Sequence, residues 1–238
     1  DYLEKVGGLG LEAELSGKQI ANIDSADIGP MVWTPLHQAA QAALADLACQ
    51  GVIVTHGTDT LEETAFLLDQ TLPADKPVVV VGAMRPADAV GYDGLRNFAN
   101  AVRVASDPDA AGRGVLVVMG DRIFAARDVY KVRTRGTEAF RGFPRESVGL
   151  VTPASRMVRR TLADGGRGGL RLAKEFPRGG HRLRLCRSRW GRPEPAGERY
   201  HARHRAGWCW RREHARWRPS GTGEACFARG LRHPRQPG

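Results

Sequence analysis

Short apolar runs separated by helix-like segments constrain this chain more than any other feature. They are Val52-Ile53-Val54, the four valines Val78–Val81 and Val115-Leu116-Val117-Val118, with a weaker candidate at Lys18–Ile23. The valine-rich runs lack the polar–apolar alternation of a strand with one wet face, so they are expected to be buried on both faces. Between them lie helical patterns. Leu36, Ala40, Ala43, Leu44 and Leu47 fall on one face, with Thr34-Pro35 as N-cap and first helical residue and Gly51 as the stop. Leu61, Ala65 and Leu68 form a second stripe, and Leu95, Phe98, Ala99, Val102 and Ala105 a third, with Asp93 as its cap. Ile123 to Val129 reads as one further strand, with Lys131 in the polar loop after it. Helix and strand alternate from Lys18 to Met119. The fold class expected is therefore α/β, a parallel, Rossmann-like sheet with right-handed crossovers and helices on both faces.

In such sheets ligands bind beyond the carboxyl ends of the strands. Three polar turns fall there: Asp24–Asp27 with Ser25, Thr55–Asp59, and Gly82–Pro86. The second leads into a helix through Thr60 and Glu63, which have the spacing of a capping box. Unpaired N–H groups at a helix start favour a negative ligand group. Thr58 can serve as a nucleophile or positioned hydroxyl if a base stands beside it. Lys131 is the candidate base, once desolvated or held near Asp59. Local spacing alone is equally met by a plainer reading, with Thr58 and Asp59 as turn formers, Thr60 as a cap and Lys131 on the surface. His56 is expected to pack or bond locally.

Composition divides the chain. The formal charge is +10, yet the excess is concentrated at one end. From Arg178 to Gly238 there are sixteen Arg, no Lys, no Asp and four Glu, with four of the five Trp. No Ile follows Ile123 and no Val follows Val158. Cys186, Cys209 and Cys226 are too widely spaced for a zinc ribbon or knuckle, so no metal and no cofactor is expected. No apolar run is long enough to span a bilayer. No signal-peptide pattern is read, and with Asp1 in place of Met an upstream segment is expected to be missing. The compartment stays open between cytoplasm and periplasm.

His56-Gly57-Thr58-Asp59-Thr60-Leu61-Glu62-Glu63-Thr64 resembles a signature of the bacterial-type L-asparaginase/glutaminase family. Other pieces match in order: Asn22–Ser25, Lys76–Pro86, Gly114–Met119 and Ala126–Lys131. The resemblance covers roughly residues 10–150. It implies hydrolysis of a side-chain amide, that of asparagine or glutamine, with release of ammonia through a threonine acyl-enzyme. Thr58, Asp59 and Lys131 match catalytic positions. Asp59 also matches the carboxylate that holds the substrate's α-amino group, Ser25 the hydroxyl that holds its α-carboxylate, and Ala83 a backbone position lining the pocket. The resemblance further implies a homotetramer or homodimer acting on a small amino-acid amide.

The chain departs from the family pattern in two respects. It contains no Thr-Gly-Gly-Thr-Ile motif, which carries the family's first threonine, and Ala26 stands where many members carry an amide side chain. The domain reading is an α/β domain at 1–150, incomplete at its start, a connector at 151–177, and an Arg-rich, irregular tail at 178–238. Shifting the reading frame of the tail by one base makes Trp208–Arg218 readable as GVGAGNMPAGV, His181–Trp190 as IVYAYAGADG, and Thr222–Arg235 as LEKLASRGVCVIRA. The tail is thus expected to be a frameshifted second α/β domain, and the chain to be inactive as it stands. The alternative is a non-catalytic remnant whose Arg/Trp-rich tail binds nucleic acid, Arg on phosphate and Trp on bases. No modular nucleic-acid-binding pattern accompanies it.

Overall fold

The computed structural model describes residue 11, residues 13–151 and Leu172, together with the backbone of 156–158 and 223–229. The connector and most of the Arg-rich tail lie outside these residues. Two compact units are distinguished, one of residues 1–172 with 219–238 and one of 173–218; the second falls outside the described residues. In chain order the first contains strand β1 (Glu14–Ala21), a 3-10 turn (Ser25–Asp27), helix α1 (Pro30–Ala45), β2 (Cys49–Thr55), α2 (Leu61–Thr71), β3 (Val78–Val81), α3 (Gly94–Ala105), β4 (Val115–Met119), β5 (Arg122–Ala125), β6 (Val129–Lys131), β7 (Phe140–Gly142), β8 (Gly149–Val151), β9 (Arg156–Val158) and β10 (Gly223–Arg229).

The valine runs form the centre. β2, β3 and β4 pair in parallel, Val52 to Thr55 against Val78 to Val81 and these against Val115 to Val118. Successive side chains alternate between two cores. Val52, Val54, Val78, Val80, Val115 and Val117 pack with Leu36, Ala40, Leu61 and Leu68 from α1 and α2. Ile53, Val79, Val81, Leu116 and Val118 pack with Phe98, Ala101, Val102 and Ala105 from α3 on the opposite side. Both faces being dry removes any reason for alternation in the sequence.

The sheet is mixed, which corrects the expectation of a parallel one. Its order is β1-β10-β2-β3-β4-β5-β8-β9, and β6 and β7 form a separate two-stranded sheet. Beyond β4 every neighbour is antiparallel, because β5 returns directly from the tight Gly120–Asp121 turn with no room for a crossover helix. β10 also corrects the expected irregular tail at one place. It lies antiparallel between β1 and β2, pairing Glu14 with Arg229 and Val54 with Ala225. The reason is backbone chemistry: strands one position apart each present unpaired N–H and C=O groups, and an extended segment satisfies them whatever its side chains.

Several local expectations shift. α1 starts at Pro30, with Gly29 as N-cap, so Pro35 lies inside the helix. The bond it cannot make would go to the Met31 carbonyl, and Met31 is 89% exposed, so water can take that acceptor. α1 ends at Ala45, leaving Leu47 outside the stripe and exposed; Gly51 lies within β2, as does Cys49. β1 begins at Glu14, earlier than Lys18. The segment Ile123–Val129 is two strands, broken where Asp128 N–H donates to Ala125 C=O (3.0 Å). Lys131 ends β6 and does not sit in a loop.

Candidate active site

The carboxyl ends of β1, β2 and β3 bring the three polar turns together, and β6 delivers Lys131 to them. Ser25 follows β1 in the 3-10 turn, which the Asp24 carboxylate caps by accepting from Ala26 N–H (2.9 Å). Ser25 is buried and tied to the next turn twice. Its hydroxyl oxygen accepts from Asp59 N–H (3.1 Å), and its carbonyl accepts from the Thr60 hydroxyl (2.5 Å). Accepting from Asp59 leaves the Ser25 O–H as a donor for a ligand. Gly57 makes this approach possible, since a Cβ there would stand 2.6 Å from Ser25 Oγ. The expected capping box is not formed by Thr60, which makes no side-chain cap bond on its own helix. Its hydroxyl is drawn to Ser25, where it satisfies a buried carbonyl.

Lys131 Nζ donates to Thr58 Oγ1 (2.8 Å) and to Asp59 Oδ1 (2.6 Å). The lysine side chain is 15% exposed and that of Asp59 is 58% exposed. The amine is therefore held inside while the carboxylate faces outward, where a ligand's ammonium can reach it. The hydroxyl, amine and carboxylate have the geometry of an activated nucleophile with its base and the group that orients the base. The Lys131 backbone N–H donates to Glu62 Oε2, so α2 carries Asp59 at its start and also holds the lysine strand. Ala83 lies just beyond β3. The preceding Gly82 is packed against the turn, for a Cβ on it would meet His56 O at 2.8 Å and Thr58 Cγ2 at 3.1 Å. An apolar hollow lined by Ile20, Ile23, Ile28, Val32, Leu36 and Val54 flanks the turn on the Gly57 side. Among the described residues no group of three or more His, Cys, Asp or Glu is placed to hold a metal ion. Nor is any described helix long and apolar enough to cross a membrane.

His56 is buried and bonded locally. Trp33 Nε1–H donates to Thr64 Oγ1 (2.9 Å), and Thr64 lies 2.8 Å from His56 Nε2. His56 Nδ1 lies 2.6 Å from the Gly57 carbonyl, which can only accept, so Nδ1 carries the proton and Nε2 accepts from Thr64. Burial pushes the imidazole below the ordinary histidine range, partly opposed by the Gly57 carbonyl. The folded state thus favours neutral His56, and the unfolded chain binds the proton more tightly. The His56 contribution is fully present above about pH 6.5 and is lost as pH falls below it. Urea unfolding between pH 5 and 8 should show this slope in the parent and a shallower one in His56→Gln; identical slopes would rule His56 out as the source.

Sequence reasoning named Thr58, Asp59, Lys131, Ser25 and Ala83, and the fold links the first four, Lys131 bonding to Thr58 and Asp59 and Ser25 to Asp59. It missed Glu62, Thr64 and Trp33. Thr64 stands one helical turn after Thr60, a weak signal, but its partner Trp33 is 31 positions away and nothing local points to it.

The chain matches the family model described as "Asparaginase, N-terminal" over residues 1–163. It is 47% identical over 139 residues to "L-asparaginase 2" of Bacillus subtilis, covering 58% of this chain and 36% of that protein. It is 45% identical over 140 residues to the "Glutaminase-asparaginase" of Pseudomonas fluorescens biotype A, covering 58% and 38%. The crystal structure of a probable cytoplasmic L-asparaginase from Campylobacter jejuni superposes with a TM-score of 0.66 at 35% identity, over 70% of this chain and 53% of that one. The match thus spans well under half the length of these curated relatives.

Proposed function

This chain belongs to the asparaginase family, and from that premise we propose that its site serves hydrolysis of the side-chain amide of L-asparagine, or of glutamine, to the acid and ammonia. The observation that carries the reading is the convergence of Lys131 Nζ on Thr58 Oγ1 and Asp59 Oδ1, at 2.8 and 2.6 Å. A nucleophilic threonine must lose its proton as it attacks the amide carbon. Lys131 Nζ stands where that proton must go, with the Asp59 carboxylate beside it to balance the charge. Asp59, with an outward-facing carboxylate, receives the substrate's α-ammonium. The Ser25 hydroxyl donates to its α-carboxylate, and the Ala83 backbone lines the pocket. An amino acid carries both charges on one carbon, so a site with one anion and one free donor a few ångströms apart suits it. Family resemblance assigns a second catalytic threonine to a Thr-Gly-Gly-Thr-Ile motif that these 238 residues do not contain. The chain is therefore proposed to hold one of the site's two threonines, with the groups that bind substrate, and to turn over poorly alone. Family resemblance also suggests a homodimer or homotetramer.

Titration with L-aspartate, the product, tests this. Saturable binding is expected to perturb the amide signals of Ser25, Thr58 and Asp59, and Asp59→Ala is expected to weaken it at least about tenfold, the worth of a charge-assisted hydrogen bond. Binding that is indifferent to Asp59→Ala would sink the assignment.

We propose further that residues from about 178 onward are a frameshifted second domain. The family match, which ends at residue 163, is compatible with this. Sequencing the DNA across codons 175–182 decides it: an intact frame with unrelated codons removes the idea.

A further inference from the structure

The turn after β3 is gripped by the first turn of α3. Asp93 occupies the N-cap position of α3 but makes no side-chain cap bond on its own helix. Its carboxylate instead accepts two consecutive backbone N–H groups, Met84 on Oδ2 and Arg85 on Oδ1, each at 3.0 Å. Asn97, one helical turn later, is 1% exposed and uses both ends of its amide. Nδ2 donates to the Gly82 carbonyl (2.9 Å) and to Asp93 Oδ2 (3.0 Å), while Oδ1 accepts from Gly120 N–H (3.1 Å) in the turn after β4. The polar groups of residues 82, 84 and 85 nearest Ala83 are thus all fixed to α3.

The direction of the Ala83 carbonyl follows. Ala83 C=O and Met84 N–H belong to one peptide unit, and Phe143–Pro144 is the cis bond recorded among the described residues, so this unit is trans. In a trans peptide the carbonyl and the N–H point in opposite directions. With Met84 N–H aimed at Asp93, Ala83 C=O is aimed away from α3. α3 packs on one face of the sheet, while α2, which starts just after Thr58 and Asp59, packs on the other. We propose that Asp93 and Asn97 are positioning residues that hold the Ala83 carbonyl turned from α3 toward the Thr58 side of the sheet as a preset acceptor for the substrate amide. The proposal rests on the amide-hydrolase reading for what the carbonyl receives, and on the geometry alone for how it is held. A preset acceptor contributes because no reorientation is left to be done when the ligand arrives.

The test uses the full chain, labelled for residue-level amide exchange, with L-asparagine as the probe, since its side-chain amide can donate to a carbonyl. Asp93→Ala is expected to speed exchange at Met84 and Arg85 by about tenfold or more, as loss of a hydrogen bond to a charged group should. Val80 and Val117 in the adjoining strands should stay within about twofold of the parent. Asp93→Asn keeps one acceptor oxygen and should fall between the two. Asn97→Leu should release Gly120 in the same local way, and it serves alone if Asp93→Ala fails to fold. L-asparagine affinity should weaken about tenfold in Asp93→Ala and recover in part in Asp93→Asn. Unchanged exchange at Met84 and Arg85, or a rise shared by Val80 and Val117, overturns the proposal, the latter showing general loosening. Unaltered L-asparagine affinity in Asp93→Ala overturns the positioning role while leaving the amide-hydrolase reading intact. Local release in a chain that binds no L-asparagine supports the anchoring and counts against the amide-hydrolase reading.

Discussion

Replacing Asp69 by alanine is expected to destabilise the first unit by about 3–4 kcal/mol, the range for breaking a buried, hydrogen-bonded ion pair by removing one partner. Asp69 ends the α2 stripe, and its side chain is 2% exposed. Oδ1 accepts from Val115 N–H at 2.9 Å, at the start of β4. Oδ2 accepts from Arg127 Nη2 at 2.9 Å and from Gln70 Nε2 at 3.0 Å. Alanine strands a buried strand N–H, and the guanidinium loses the carboxylate that draws it in. Arg127 keeps 27% exposure and can recover part of its hydration, so the cost belongs mainly to the acceptor lost at Val115. Urea unfolding of the parent and of Asp69→Ala measures it. A loss under about 1 kcal/mol, the size of an ordinary surface change, would show that the network is ornamental. Asp69→Ala should also loosen Lys131, because Arg127 lies four residues before it and Glu62, at the other end of α2, holds the Lys131 N–H. α2 therefore clamps the lysine strand near both its ends.

The second large effect concerns turnover. The 238-residue chain, assayed alone with L-asparagine, is expected to release ammonia at no more than about 10⁻⁴ of an ordinary rate. Removing one member of a set of catalytic groups that act as a unit costs on the order of 10⁴–10⁶ in kcat. Turnover near the common enzymatic value of about 10 per second would overturn the view that a second threonine outside these residues is needed. Such a result would leave Thr58 as the sole nucleophile, and Thr58→Val would then have to abolish the reaction.

The helices and central strands were legible because their signals are local. Four valines in a row, or Leu61, Ala65 and Leu68 at helical spacing, fit few alternatives once burial on a sheet is required. The errors arose where a local rule met a distant partner. Thr60 and Glu63 have the spacing of a capping box, but the Thr60 hydroxyl bonds to Ser25, 35 positions earlier. Asp93 looks like a cap, and its carboxylate is taken by Met84 and Arg85. Both are short polar side chains at helix starts, where a cap bond and a tertiary bond are close in energy and the fold selects between them.

From its sequence alone this protein is determined to be an α/β chain with polar turns at the carboxyl ends of its strands, since periodicity and turn residues act within a few positions of themselves. The resemblance of His56–Thr64 further singled out Thr58 and Asp59. Only the tertiary structure decided that Lys131, 73 positions beyond Thr58, touches it, and that the sheet accepts β10 between β1 and β2. Backbone hydrogen bonds are blind to side-chain identity, and a hydrogen bond between distant residues leaves no periodic trace. Such contacts exist only once the cores on both sides of the sheet have closed and brought the strand ends together.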